Sequence, residues 1–174
     1  MLKRTLPLIS ALAAVGVAPA LGQDFAPHRA VYAVTSLERG KPAAGSTGTY
    51  AYELRQTCDG YVVNQRLRLE SAVGRGTVAS EQQSQMTESR DGKKLRFEHR
   101  NTAAGRKTNQ IKGEALLGDD GAGEARFTEP EGQTVALLRG TLFPVAIARE
   151  TIRQAKAGES GFDALFFFGD KVKP

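Results

Sequence analysis

The chain has 174 residues, 24 of them basic and 19 acidic, for a net charge of +5, with one cysteine and no tryptophan. This length suits one domain. Its basic residues are interspersed with acidic ones, which excludes the one-sided basic patch that nucleic-acid binding needs; the even mixture reads as a solvated surface, with mild attraction to an anionic membrane or cell-wall polymer as the weaker alternative.

Residues 1–22 predict a secretory signal peptide. Lys3 and Arg4 form a positive n-region, Leu6 to Val17 an apolar core, and Ala20 and Gly22 the small pair before cleavage at Gln23. The segment is too short and wrongly flanked to span a bilayer, and no second apolar run of about 18 residues follows, so no membrane span is expected. Cys58 lies too far from the cleavage point to carry a lipid anchor. The mature protein is therefore expected as an exported, soluble, single β-rich domain over 23–174, its charge +3 once the two basic residues of the signal (5 − 2) are removed.

In chain order the mature sequence reads almost entirely as strand. Residues 29–37 are β-branched and alternating, and 41–48 form a Gly/Pro/Ser loop. In 49–57, Tyr50, Tyr52 and Leu54 share one face, with Glu53 and Arg55 opposite. Asp59-Gly60 predicts a hairpin with a type I′ turn into a run that places Tyr61, Val63, Leu67 and Leu69 together. The polar stretch 77–90 suits a solvated strand. Asp91-Gly92 then turns the chain into 94–101, where Leu95, Phe97 and His99 share a face. Strands over 108–117, 124–128 and 134–138 follow, with a turn cluster at 118–123. Short strands separated by regular turns describe an antiparallel meander.

One helix interrupts this pattern. Pro144 fits the first helical turn. Val145, Ala148, Ile152 and Ala155 form an apolar stripe, with Arg149, Glu150, Arg153 and Lys156 away from it and Gly158 as the left-handed stop. The narrow, alanine-rich stripe allows a sheet to approach closely. Phe162 to Phe168 resumes as a strand whose three final phenylalanines are too apolar to face water.

No catalytic constellation accompanies these elements. His28 reads as a surface or packing residue and His99 as a satisfied interior histidine. Two histidines and one cysteine give no metal-ligand spacing, and Asp119-Asp120 reads as a turn rather than a calcium loop. Glu53, Glu70 and Glu98 sit on strand faces, where a converging pair would be needed for glycoside hydrolysis. Neither a nucleophile elbow nor a phosphate loop occurs. The residues thus point away from an enzyme, and no cofactor is expected. Cys58 is odd in an oxidising compartment: a free thiol, an intermolecular disulfide and a missing partner all fit.

The order of motifs carries a resemblance. APHRAVY at 26–32, a tyrosine-rich strand running into CDGY at 58–61, ESRDGKKLRF at 88–97 and GTLFP at 140–144 with its helix ending AKAGES at 155–160 resemble the EipB-type cell envelope integrity proteins of Gram-negative bacteria, over almost the whole mature chain. The resemblance implies a periplasmic β-spiral, an antiparallel meander curled into an open barrel around a single helix. It also implies a non-enzymatic role in envelope integrity through protein–protein contacts, with a periplasmic tetratricopeptide-repeat protein as partner. A periplasmic carrier of a lipid or other apolar ligand is the alternative, and a hydrolase a distant third. Members are longer, with further strands beyond Phe168, and their CDG cysteine pairs with one near the far C-terminus. This sequence therefore reads as the N-terminal portion of the family domain, incomplete at its C-terminus: a truncated gene product or a short natural variant, with Cys58 lacking its family partner and the helix under-covered.

Overall fold

The computed structural model describes residues 25–36 and 46–170. The signal peptide expected over 1–22, most of the loop expected over 41–48 and residues 171–174 lie outside this range. Eight strands form one sheet, each paired with the next in sequence: β1 (His28–Thr35), β2 (Thr47–Gln56), β3 (Gly60–Val73), β4 (Gly76–Ser89), β5 (Lys94–Ala103), β6 (Arg106–Leu117), β7 (Gly123–Glu129) and β8 (Thr134–Leu137). Every pairing is antiparallel. The meander curls but does not close, so β1 and β8 remain its edges.

Strand periodicity of two sorts the side chains between the faces. Cross-strand register lines up Leu54, Val63, Met86, Phe97, Gly113 and Phe127 in one inward row, and Tyr61, Glu88, Leu95, Ala115 and Ala125 in the next. All of these are buried. Gly113 has a specific reason: a Cβ there would stand 2.6 Å from the Phe97 ring and 2.3 Å from the Arg126 carbonyl oxygen. Its absence lets the Phe97 ring lie across β6. The outward face is charged and laced across strands, with Arg29–Glu53 at 2.8 Å, Arg66–Glu81 at 2.9 Å and Arg96–Glu114 at 2.6 Å. Exposed pairs of this kind contribute at most about 1 kcal/mol each; their role here is to favour this register over slipped ones.

After β8 the chain turns inward through β9 (Thr141–Leu142) to helix α1 (Pro144–Lys156), then returns through β10 (Leu165–Phe166), which pairs parallel with β9. Pro144 occupies the first helical turn, and Gly158 follows the helix at φ +84°. The return segment drops Phe167 into the curl, fully buried, with ring centroids 5.5 Å from Phe97 and 6.5 Å from both Phe127 and Phe143. The Phe97 and Phe127 rings meet Phe167 edge-on and Phe143 meets it at a tilt, and such ring pairs stabilise beyond the area that they bury.

Four expectations require correction. Neither Asp59 nor Gly60 lies at positive φ; the hairpin forms, but through a three-residue loop, 57–59, closed by the Thr57 N–H donating to the Gly60 carbonyl, so type I′ geometry is not needed. The strand over 162–168 shrinks to two residues, and of its three last phenylalanines only Phe167 is buried, whereas Phe168 is 38% exposed. Residues 77–90 are not wholly solvated, because Met86 and Glu88 point inward. The helical stripe is buried only at Val145; Ile152 is 40% exposed and Ala155 lies open, so α1 docks by its first turns alone.

Candidate functional site

The most unusual chemistry lies where α1 meets β4. Phe143 precedes the helix in extended conformation and offers no side-chain cap, which leaves the first backbone N–H groups without intrahelical acceptors. Glu88, 57 residues earlier, supplies both: Oε2 accepts from Val145 N–H at 2.6 Å and Oε1 from Ala146 N–H at 2.9 Å. The carboxyl group is only 1% exposed. Arg149, one turn on, lies over the Tyr61 ring at 4.9 Å and donates from Nη1 to the Arg90 carbonyl at 3.1 Å, while its buried Nε has no hydrogen-bond partner. Arg149 therefore faces the sheet, contrary to its predicted outward place, because a guanidinium gains from the face of an aromatic ring.

Burial pushes the Glu88 carboxyl up to about 7, against the opposing pull of the two backbone N–H bonds and of Arg149. The folded protein then keeps a proton that the unfolded chain releases above about pH 4.5. The stabilisation from Glu88 is therefore full below that pH and is lost as pH rises through about 7. Exposed carboxylates work in the opposite sense. Hydrogen bonds from Asn64 and Arg29 to Glu53, from Arg66 to Glu81 and from Ser89 to Asp91 hold these groups below the ordinary range, so their contribution disappears as pH falls beneath it. Thermal unfolding should accordingly give the highest Tm near pH 5 and a decline towards pH 7–8. The decline should vanish in Glu88→Gln; a wild-type Tm that climbs steadily from pH 5 to 8 would contradict this assignment.

His99 lies on the inner face with both ring nitrogens engaged, Nδ1 with the Ser84 hydroxyl at 2.7 Å and Nε2 with the Phe168 carbonyl at 2.6 Å. A carbonyl can only accept, so Nε2 carries a proton; in the neutral ring Nδ1 then accepts from the Ser84 hydroxyl. The histidine thereby clasps the return segment. Gly169, at φ +94°, permits the closeness, since a Cβ would stand 2.6 Å from Nε2. His28 is exposed and stacks on Tyr52 at 5.4 Å. Glu53 and Glu98 occupy the same outward row with backbones three strand spacings apart, about 14 Å, and each carboxylate is taken up by its own neighbours, Glu53 by Arg29 and Asn64, Glu98 by Arg100 and Gln110; Glu70 faces outward elsewhere, beside Ala79. Asp119 pairs with Lys93 and Asp120 with Arg139 in the 118–123 turn. Among the described residues no cluster of histidine, cysteine or carboxylate side chains could hold a metal.

Cys58 sits exposed and free in the β2–β3 turn. A thiol-reactive probe is expected to label it stoichiometrically in the folded protein, at a rate close to that in urea. Protection in a monomer would contradict that placement.

Glu88 and Arg149 were absent from the sequence-level candidates. Their one signal was a glutamate at an inward parity of β4, legible only once the register with Tyr61 and Leu95 is known.

Comparison with known proteins agrees with this architecture. Residues 19–173 match the EipB-like family model. The chain is 31% identical over 149 residues to the cell envelope integrity protein EipB of Brucella abortus (strain 2308), covering 81% of this chain and 51% of that protein. It thus spans about half the length of the curated relative. A crystal structure from Brucella abortus, described as a beta-barrel-like protein of domain of unknown function DUF1849, superposes with a TM-score of 0.74 at 28% identity, covering 84% of this chain and 63% of the other. No helix among the described residues is long and apolar enough to cross a membrane. The open eight-stranded meander with its one helix and the family match over residues 19–173 together establish that this chain belongs to the EipB-like family.

Proposed function

We propose that the protein is exported to the periplasm by its N-terminal signal peptide and supports cell envelope integrity without catalysis, by contact with other proteins. The observation that carries this reading is the 31% identity to a cell envelope integrity protein. A contact surface is available at edge strand β1, where Val31 is 67% and Tyr32 54% exposed. An uncovered edge can accept an added strand or the flank of a helical repeat, and a periplasmic tetratricopeptide-repeat protein remains the partner class that the family resemblance suggests.

The test is genetic and biochemical together. In a strain lacking the gene, the wild-type chain should restore growth under a cell-wall-directed antibiotic and recover the repeat protein after periplasmic cross-linking. A Val31→Asp/Tyr32→Asp variant that still folds should do neither. Full restoration by that variant would remove β1 as the contact; failure of the wild-type chain to restore growth would contradict the envelope role.

A second reading, carriage of an apolar ligand, draws support from a cavity of about 320 Å³ between Pro144, Val145 and Ala148 of α1 and Tyr52 and Leu54 of β2, with Phe25 at its side. Native mass spectrometry discriminates: a co-purifying lipid supports carriage, and its absence together with repeat-protein capture supports the contact role.

A further inference from the structure

Beyond α1 and Phe167 the inward face of the sheet changes character. Register places Gln82 beside Asn101 and Asn101 beside Asn109 on successive strands, with Gln65 one row nearer the core. These side chains line a groove of about 530 Å³ that has Tyr50 on its wall, and the Tyr50 ring stacks on Tyr32 at 6.0 Å. The four amide groups make no hydrogen bond or ion pair among the described residues. The groove is also nearly free of charge: His99 is committed through both ring nitrogens, and Asp170 at the rim already has a partner. The outer face of the same strands, by contrast, is laced with ion pairs.

We propose that this groove is a binding site for a neutral glycan. A carboxamide sets one acceptor beside two donors, which matches the paired donor and acceptor character of neighbouring sugar hydroxyls. Three amides abreast at the interstrand spacing make an arm about 10 Å long, enough to line two linked sugar rings. Tyr50 presents an aromatic face to the apolar C–H face of a pyranose. The other ligand classes fit less well. Phosphate-bearing ligands would find no cation among the described residues that line the groove, and an acyl chain would desolvate amides without satisfying them. An extended peptide docks by pairing with free strand edges, whereas the Gln82 and Asn101 amides come from β4 and β5, which are paired on both sides at those positions.

The site is tested by titrating ¹⁵N-labelled protein with chitotetraose, cellotetraose and maltotetraose. At least one should shift the side-chain NH₂ resonances of Gln82, Asn101 and Asn109, with an affinity indifferent to salt. Gln82→Ala/Asn101→Ala, checked for retained fold by circular dichroism, should weaken that affinity at least about tenfold, while Thr87→Ala on the outer face should leave it unchanged. Failure of all three sugars to move these resonances at millimolar concentration would overturn the proposal. So would shifts confined to the outer face, or a neutral peptide moving the amides when the sugars do not. None of these outcomes depends on the envelope role.

Discussion

Replacing Phe167 with alanine is expected to destabilise the protein by about 3–5 kcal/mol, the range for removing a buried aromatic and leaving part of its volume empty. The side chain is fully buried and meets Phe97, Phe127 and Phe143, which come from β5, β7 and the N-cap of α1. It is thus the wedge around which sheet and helix meet. A loss of that size is a large share of the roughly 5–15 kcal/mol that holds a typical domain together. Urea denaturation should show a lower midpoint with little change in slope. Phe168→Ala, one residue on but exposed, serves as the control and should cost under about 1 kcal/mol. Equal effects at the two positions would mean that the return segment does not thread into the curl.

The second large effect is expected at Glu88. Glu88→Ala leaves the Val145 and Ala146 N–H groups with no acceptor at the foot of the helix and should cost about 2–4 kcal/mol at pH 5. The cost should shrink as pH approaches 8, because the wild-type carboxyl ionises in a buried place over that interval. Matched denaturation curves at the two pH values measure both quantities. A cost that grows with pH would mean that the ionised carboxylate is the favoured form in the fold.

Much of the meander could be read from the amino acids, because alternation alone reports a strand that is buried on one face. Tyr50, Tyr52 and Leu54 share the inner face as their spacing implies, as do Tyr61, Val63 and Leu67 of the next strand. The open barrel around one helix, which the family resemblance implied, is the architecture found. What escaped depended on contacts distant in sequence. Residues 77–90 are so polar that the inward Met86 and Glu88 leave no periodic trace. The Glu88 cap joins positions 57 residues apart, and β9 with β10 are two-residue strands, each too short to carry a pattern. The run Phe166–Phe168 misled for a local reason: successive side chains of an extended segment point to opposite sides, so only the middle ring reaches the core. Among candidate site residues, the exposed turn position of Cys58 follows from its Asp-Gly neighbours, whereas the clasp formed by His99 depends on a carbonyl 69 residues later.

The central claim is that the curled sheet holds α1 by its N-terminus, through Glu88, with Phe167 locking the closure from inside. Hydrogen exchange at the Val145 and Ala146 amides of the wild-type protein tests it most directly. An ordinary helix leaves its first N–H groups unbonded and quick to exchange. Here both should be protected to nearly the same degree as the central amides of β3, β4 and β5, and the protection should disappear in Glu88→Ala while those strands stay protected. Exchange of Val145 and Ala146 in the wild-type protein at the rate of an unstructured peptide would contradict it.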